Sequence, residues 1–310
     1  MSIQEYRQLQ GERSVLVRLL DELPASSVIE RIGLEARKRD VESCLASAPT
    51  PLQEPAHARL TFRGKPIIDG YGVFAEFGAA VVNAFADAIA AIGASQLAQL
   101  GTRGAIPNRD DYRLLITGTA QGSFGFELEE APRDSSIPAA DLSPVAAAIG
   151  QAKAIMEASL ASDDELADAV AEADPRALDA LRVFLKTMAD EDATCTLDLG
   201  GRALRFADVG QVRRSWDRLG RDNIHENTHQ IDGAFQGALP KRRTFEFKVA
   251  ETQEIIVGKV GAAIPDARAI NQILDQATTI QVQATRVGAG NPRYVLLSCP
   301  ALPGQSQATR

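Results

Sequence analysis

Residues 111–130 read DYRLLITGTAQGSFGFELEE, two alternating runs on either side of a short turn. Leu114 and Ile116 fall on one face of the first run; Phe124, Phe126 and Leu128 share a face of the second. Period-two alternation makes half-buried strands, and Gly122 in the turn tolerates the positive φ that tight hairpins demand. The stretch is expected to be a β-hairpin whose apolar face needs cover.

The chain just before it supplies that cover. Residues 58–62 alternate as a strand, Arg63-Gly64-Lys65-Pro66 turns, and a second strand is expected to end near Phe77. From Gly78 to about Leu100 a helix is expected, because Val82, Phe85, Ile89 and Ile92 step by 3, 4 and 3 residues. The alanines around that stripe permit close packing on a sheet. The order β-β-α-β-β over residues 58–131 reads as an α+β layer. The runs FRGKPIIDGYGVFAEFGAAVVNAF and LLITGTAQGSFGFELEE resemble a group of uncharacterised bacterial proteins. Those share an FRG-P hairpin, a helix and a GSF hairpin ahead of a small C-terminal β-barrel. The resemblance implies an architecture and no catalytic residue.

Upstream, residues 1–47 read as a helical hairpin. Leu9, Leu16, Leu20 and Leu23 recur at helical spacing, Pro24 stops the helix, and Ser26 or Ser27 caps a second one over 28–46. Its apolar seams are too sparse for a hairpin this short to stand alone, so residues 3–46 are expected to self-associate or to hold a protein partner. Three prolines in 47–57 mark a linker.

Downstream, a Pro/Ser/Asp loop over 131–142 leads to a helical connector, 143–192. Ser143-Pro144, the capping-box spacing of Ser162 and Glu165, and Asp174-Pro175 start its three helices. Residues 194–300 are expected to hold a hairpin around Gly200-Gly201, a helix capped by Asp208 with Trp216 in its core stripe, and a barrel. Barrel strands are expected near 229–239, 244–250, 254–260, 279–287 and 293–299, with a helix at 266–275. That outline suits a small OB- or SH3-like barrel.

Composition excludes several functions. At 45% apolar and 24% charged residues the chain is ordinary globular material. Cys44, Cys195 and Cys299 are widely spaced and form no CxxC, so neither a cysteine zinc knuckle nor a disulfide framework is expected. The N-terminal residues lack a secretory pattern, and the apolar run 79–94 is broken by Asn83 and Asp87. A cytoplasmic protein without a membrane span is the expectation. There is no P-loop, no Rossmann glycine pattern and no G-x-S-x-G; Gly122-Ser123-Phe124-Gly125 lies in a hairpin and His57 in a linker.

Two stretches could still carry chemistry. His225-Glu226-Asn227-Thr228-His229 matches H-E-x-x-H, holding two of the three histidines. On a helix, His225 and His229 could bind zinc while Glu226 activated water, as in a hydrolase. Against this, Gly220 ends the preceding helix, Asn223 and Asn227 are poor helix formers, and strand alternation begins at His229. The second stretch is basic. Residues 201–310 hold 15 Lys and Arg against 10 Asp and Glu, a balance of +5 in a chain of −8. Lys241, Arg242, Arg243 and Lys248, with Arg286 and Arg293 and the preceding Arg213 and Arg214, could track a single-stranded nucleic-acid backbone. The favoured expectation is a non-enzymatic binding and assembly protein with no cofactor. Single-strand binding through the barrel is the alternative, and zinc hydrolysis the second.

Overall fold

The computed structural model describes residues 3–23, 27–47, 55–68, 70–101, 103–120, 124–131, 143–299 and 302. The turn at Gly122, the stop at Pro24, the cap at Ser26, and most of the linker and of the 131–142 loop lie outside them. The chain opens with two helices, α1 (Ile3–Glu22) and α2 (Val28–Ser47). Leu16 and Val41 are buried, and Arg13–Glu42, Arg37–Glu12 and Lys38–Glu42 pair around them.

The expected hairpin around Gly122 forms, from β4 (Leu114–Ala120) and β5 (Gly125–Glu130). A bulge between Ile116 and Gly118 breaks the alternation of β4, which leaves Ile116 exposed on an edge strand. β1 (His57–Gly64) lies antiparallel beside β5, with Leu60 opposite Phe126. The expected second strand of the first hairpin does not form. Instead β2 (Ile67–Ile68) pairs only with β3 (Gly72–Val73). Pro66 cannot donate to a ladder, and at Gly64 (φ +121°) the chain passes so close to Asp192 that a Cβ would collide with its carbonyl.

The free side of β1 is taken by a strand from far along the chain. β6 (Ala193–Leu199) pairs with β1 from Ala58↔Leu199 to Gly64↔Ala193, and β7 (Arg202–Arg205) follows across Gly200 and Gly201, both at positive φ. The resulting sheet has the order β4-β5-β1-β6-β7. Residues 194–206, grouped in sequence with the barrel, thus belong to the middle sheet.

One face of this sheet is covered by α3 (Ala75–Leu97), α4 (Pro144–Ser159), α6 (Pro175–Asp190) and α7 (Val209–Arg218), with α5 (Asp163–Val170) beside α4. Phe77 meets Phe62 of the sheet edge to face at 5.5 Å, and Phe85 meets Phe184 of α6 at 5.3 Å. α3 is therefore buried on several sides, taking in Ala84, Ala88, Ala90, Ala91 and Ala94 as well as Phe85, Ile89 and Ile92 of the expected stripe, while Val82 is only half-buried. This explains why it is apolar all round. Among the described residues it alone is long and apolar enough to cross a membrane, and 67% of its most apolar window is buried within the fold. The expected caps form: Ser143, Ser162, Asp174 and Asp208 each accept a backbone N–H of their helix. Trp216 is only half-buried, covered by the cations of Arg182 and Lys186 at 5.6 and 5.9 Å from its ring.

The remaining chain closes a barrel. Its strands are β8 (Ile224–Leu239), β9 (Thr244–Val249), β10 (Ile255–Val260), β11 (Thr278–Val287) and β12 (Arg293–Ser298), in the cyclic order β10-β12-β11-β8-β9. A 3-10 turn, Ala267–Gln272, replaces the helix expected at 266–275. Phe235, Phe245, Phe247, Ile280, Val282 and Leu296 fill the interior.

Candidate interaction surfaces of the barrel

His225, Glu226 and His229 lie in β8, a strand of 16 residues. Ten consecutive pairs with β11, from Val287↔Ile224 to Thr278↔Gly233, hold it extended. At about 3.3 Å per residue, His225 and His229 stand about 13 Å apart along the strand. Zinc–nitrogen bonds of about 2.0–2.1 Å cannot span that gap. The helical arrangement required for zinc hydrolysis is therefore absent. Among the described residues no group of three or more His, Cys, Asp or Glu is placed to hold a metal ion.

Glu226 has a different setting. It is opposite Thr285, which is fully buried and whose Oγ1 has no hydrogen-bond partner among the described residues. Burial raises the Glu226 pKa above the ordinary carboxylate value, and the negative charge of Asp174 raises it further. Asp174 is the cap of α6, so Glu226 sits at the seam between barrel and helices. Val287, two residues beyond Thr285, is part of the core beneath that seam.

The six basic candidates do not form one surface. Arg243 occupies the left-handed region (φ +51°) and donates to the carbonyl oxygens of Val260, Gly261 and Ile264 at 3.2, 2.8 and 2.7 Å. It closes the barrel end. Arg293 binds the Asp168 carboxylate through Nε at 2.5 Å and approaches Asp164 at 3.8 Å, fastening β12 to α5. These acidic partners, and Glu172, which pairs with Lys259 at 2.7 Å, were not legible as partners in sequence. Lys241 and Arg242 are exposed in the β8–β9 turn, whereas exposed Arg286 faces His225 at the opposite end of β8. Lys248 lines an open cleft of about 450 Å³ together with Asp232 and Asp275. Arg213 pairs with Asp192 at 2.5 Å, outside the barrel.

The barrel aromatics are equally committed. Phe235 meets Phe245 and Phe247 edge to face at 5.9 and 5.0 Å, all three inside the barrel, and Tyr294 packs against the same core. None is presented for base stacking. The β11–β12 turn is occupied too: the Asn291 amide donates to Asp164 Oδ1 at 2.9 Å, and Gly288 and Gly290 lie against Asp163. The barrel also presents an apolar pair. Ile255 and Val257 alternate outward on β10 with 55% and 60% exposure, beside Lys248 and Glu246 on β9. No protein-family model, curated protein or solved structure matches this chain.

Proposed function

We propose that this chain is a non-enzymatic binding and assembly protein that associates with a second copy of itself through its N-terminal helical hairpin. The observation that carries the reading is the hairpin's unburied apolar surface. Leu16 and Val41 make its inner seam, while Val15, Leu19 and Ile32 stay exposed. The ion pairs Arg13–Glu42 and Arg37–Glu12 run between its own two helices. A seam this small leaves a helical pair marginal in water, and burial of Leu19 and Ile32 against another copy would stabilise it.

The barrel serves this reading as a second binding surface. We assign it to the OB type on its strand order, β8-β9-β10-β12-β11, with β10 parallel to β12. OB barrels bind on the face of their second and third strands, here β9 and β10. That face carries Ile255 and Val257 and no aromatic, so an apolar protein surface suits it better than single-stranded nucleic acid.

Light scattering on the full chain, on a version lacking residues 1–47, and on Leu19→Glu/Ile32→Glu tests the assembly. The full chain should run as an oligomer, and both variants at the mass of one chain. A full chain already at the mass of one copy, or an oligomer that survives the deletion, would overturn the assignment.

A further inference from the structure

The face of the middle sheet that the helices leave open carries a cleft of about 310 Å³ lined from three adjacent strands. β1 contributes Thr61 and Arg63, β6 contributes Thr194 and Thr196, and β7 contributes Arg205. The register puts these side chains on one face: Thr61 stands opposite Thr196, which stands opposite Arg205, and Arg63 stands opposite Thr194. Phe62 and Cys195, the pair between these rows, point into the core on the other side.

Arg59 pairs with Glu127 at 3.1 Å, and Asp192 takes Lys65 and Arg213 at the rim. Arg63 and Arg205 have no ion pair or side-chain hydrogen bond among the described residues, and both are exposed. Two strand spacings sideways and two residues along put the backbones of Arg63 and Arg205 about 12 Å apart, so that both long side chains can reach a common point over β6. Thr61 adds an uncommitted hydroxyl that opens into the cleft. It is only 9% exposed, it lines the cleft, and its hydroxyl forms no hydrogen bond among the described residues. The one carboxylate of the cleft, Asp208, accepts the Gln211 amide at 2.8 Å as the cap of α7.

We infer that this cleft binds the phosphate group of a small phosphorylated molecule. Two arginine forks and three hydroxyls offer about seven donors, more than the four or so lone-pair sites of a carboxylate can use. A phosphate offers three oxygens around a tetrahedral centre, and its charge of about −2 matches two guanidiniums. The cleft is suited to holding such a group rather than transforming it. No histidine lines it, and the Cys195 thiol, whose pKa burial pushes up to about 12, lies on the core side.

The test is titration of the full chain with inorganic phosphate, followed by calorimetry and by amide NMR. Saturable binding is expected, with shifts at Thr61, Thr194 and Thr196. Glycerol phosphate should bind at least as well, and acetate at least tenfold more weakly. Arg63→Gln/Arg205→Gln should weaken phosphate binding by about tenfold to a hundredfold, the loss expected for charged hydrogen bonds. Both arginines are exposed, so an unchanged circular dichroism spectrum should accompany that loss. Arg242→Gln, in the barrel turn, should leave binding intact. Absence of saturable binding, equal affinity for acetate, or a double variant that binds as the parent does would each overturn the assignment. The outcome is independent of the N-terminal hairpin, whose removal should not alter phosphate affinity.

Discussion

Gly93 lies within α3, where alanine ordinarily improves a helix by about 1 kcal/mol. The structure predicts the opposite sign. A Cβ built at Gly93 would stand 2.7 Å from Cζ of Tyr112 and closer still to its Cε1 and Cδ1, where carbon atoms normally rest about 3.5–4.0 Å apart. Tyr112 is buried, and its hydroxyl donates to the Gly93 carbonyl at 2.8 Å. The ring must therefore leave its slot and break that bond. Overpacking costs about 1–3 kcal/mol and the lost bond about 0.5–1.5 kcal/mol. Set against the helical gain, Gly93→Ala should destabilise the fold by about 1–3 kcal/mol. Urea denaturation followed by circular dichroism measures this as a lowered midpoint at unchanged slope. Gly33→Ala in α2 is the matched control, since nothing lies within 4 Å of a Cβ there, and it should not destabilise. Tyr112→Ala should remove most of the penalty of Gly93→Ala, because the two share one contact. If Gly93→Ala raised the midpoint, the packing of Tyr112 against α3 would be refuted.

Phe85→Ala empties a fully buried site against Phe184 and should cost about 3–5 kcal/mol; a loss below about 1 kcal/mol would place Phe85 outside the core. Arg243→Ala removes three donors to backbone carbonyls and should cost about 2–4 kcal/mol in thermal or urea unfolding, whereas Lys241→Ala next to it should stay within about 0.5 kcal/mol. Glu226 titrates above its unfolded value, so the fold binds its proton more tightly than the unfolded chain does. Its contribution is then favourable below the unfolded pKa and is lost as pH rises through the folded pKa. Glu226→Gln should raise stability at neutral pH and flatten that part of the stability–pH curve. A variant less stable than the parent at pH 7 would show Glu226 to be a needed anion.

Local chemistry was legible from residues alone. The caps at Ser143, Ser162, Asp174 and Asp208 form because each oxygen reaches an amide two or three residues away. The hairpin strands at 114–130 and the five barrel strands follow from alternation that any half-buried strand needs. Strand alternation from His229 onward already weighed against a helical H-E-x-x-H, and the long ladder between β8 and β11 carries the strand back to Ile224. Long-range pairing was not legible. Nothing near Leu60 shows that its neighbour is Leu197, so in sequence β6 and β7 read with the barrel that follows them rather than with β1. The fates of Arg243 and Arg293 were hidden for the same reason, since their partners lie 17–21 and 125–129 residues away. A basic residue looks alike in sequence whether it faces solvent, a backbone carbonyl or a distant carboxylate. The cleft between Arg63 and Arg205 exists only because the register of three strands brings together residues from 61 to 205. Short-range periodicity and capping are encoded within a few residues of where they act, whereas sites depend on which distant faces tertiary packing brings together.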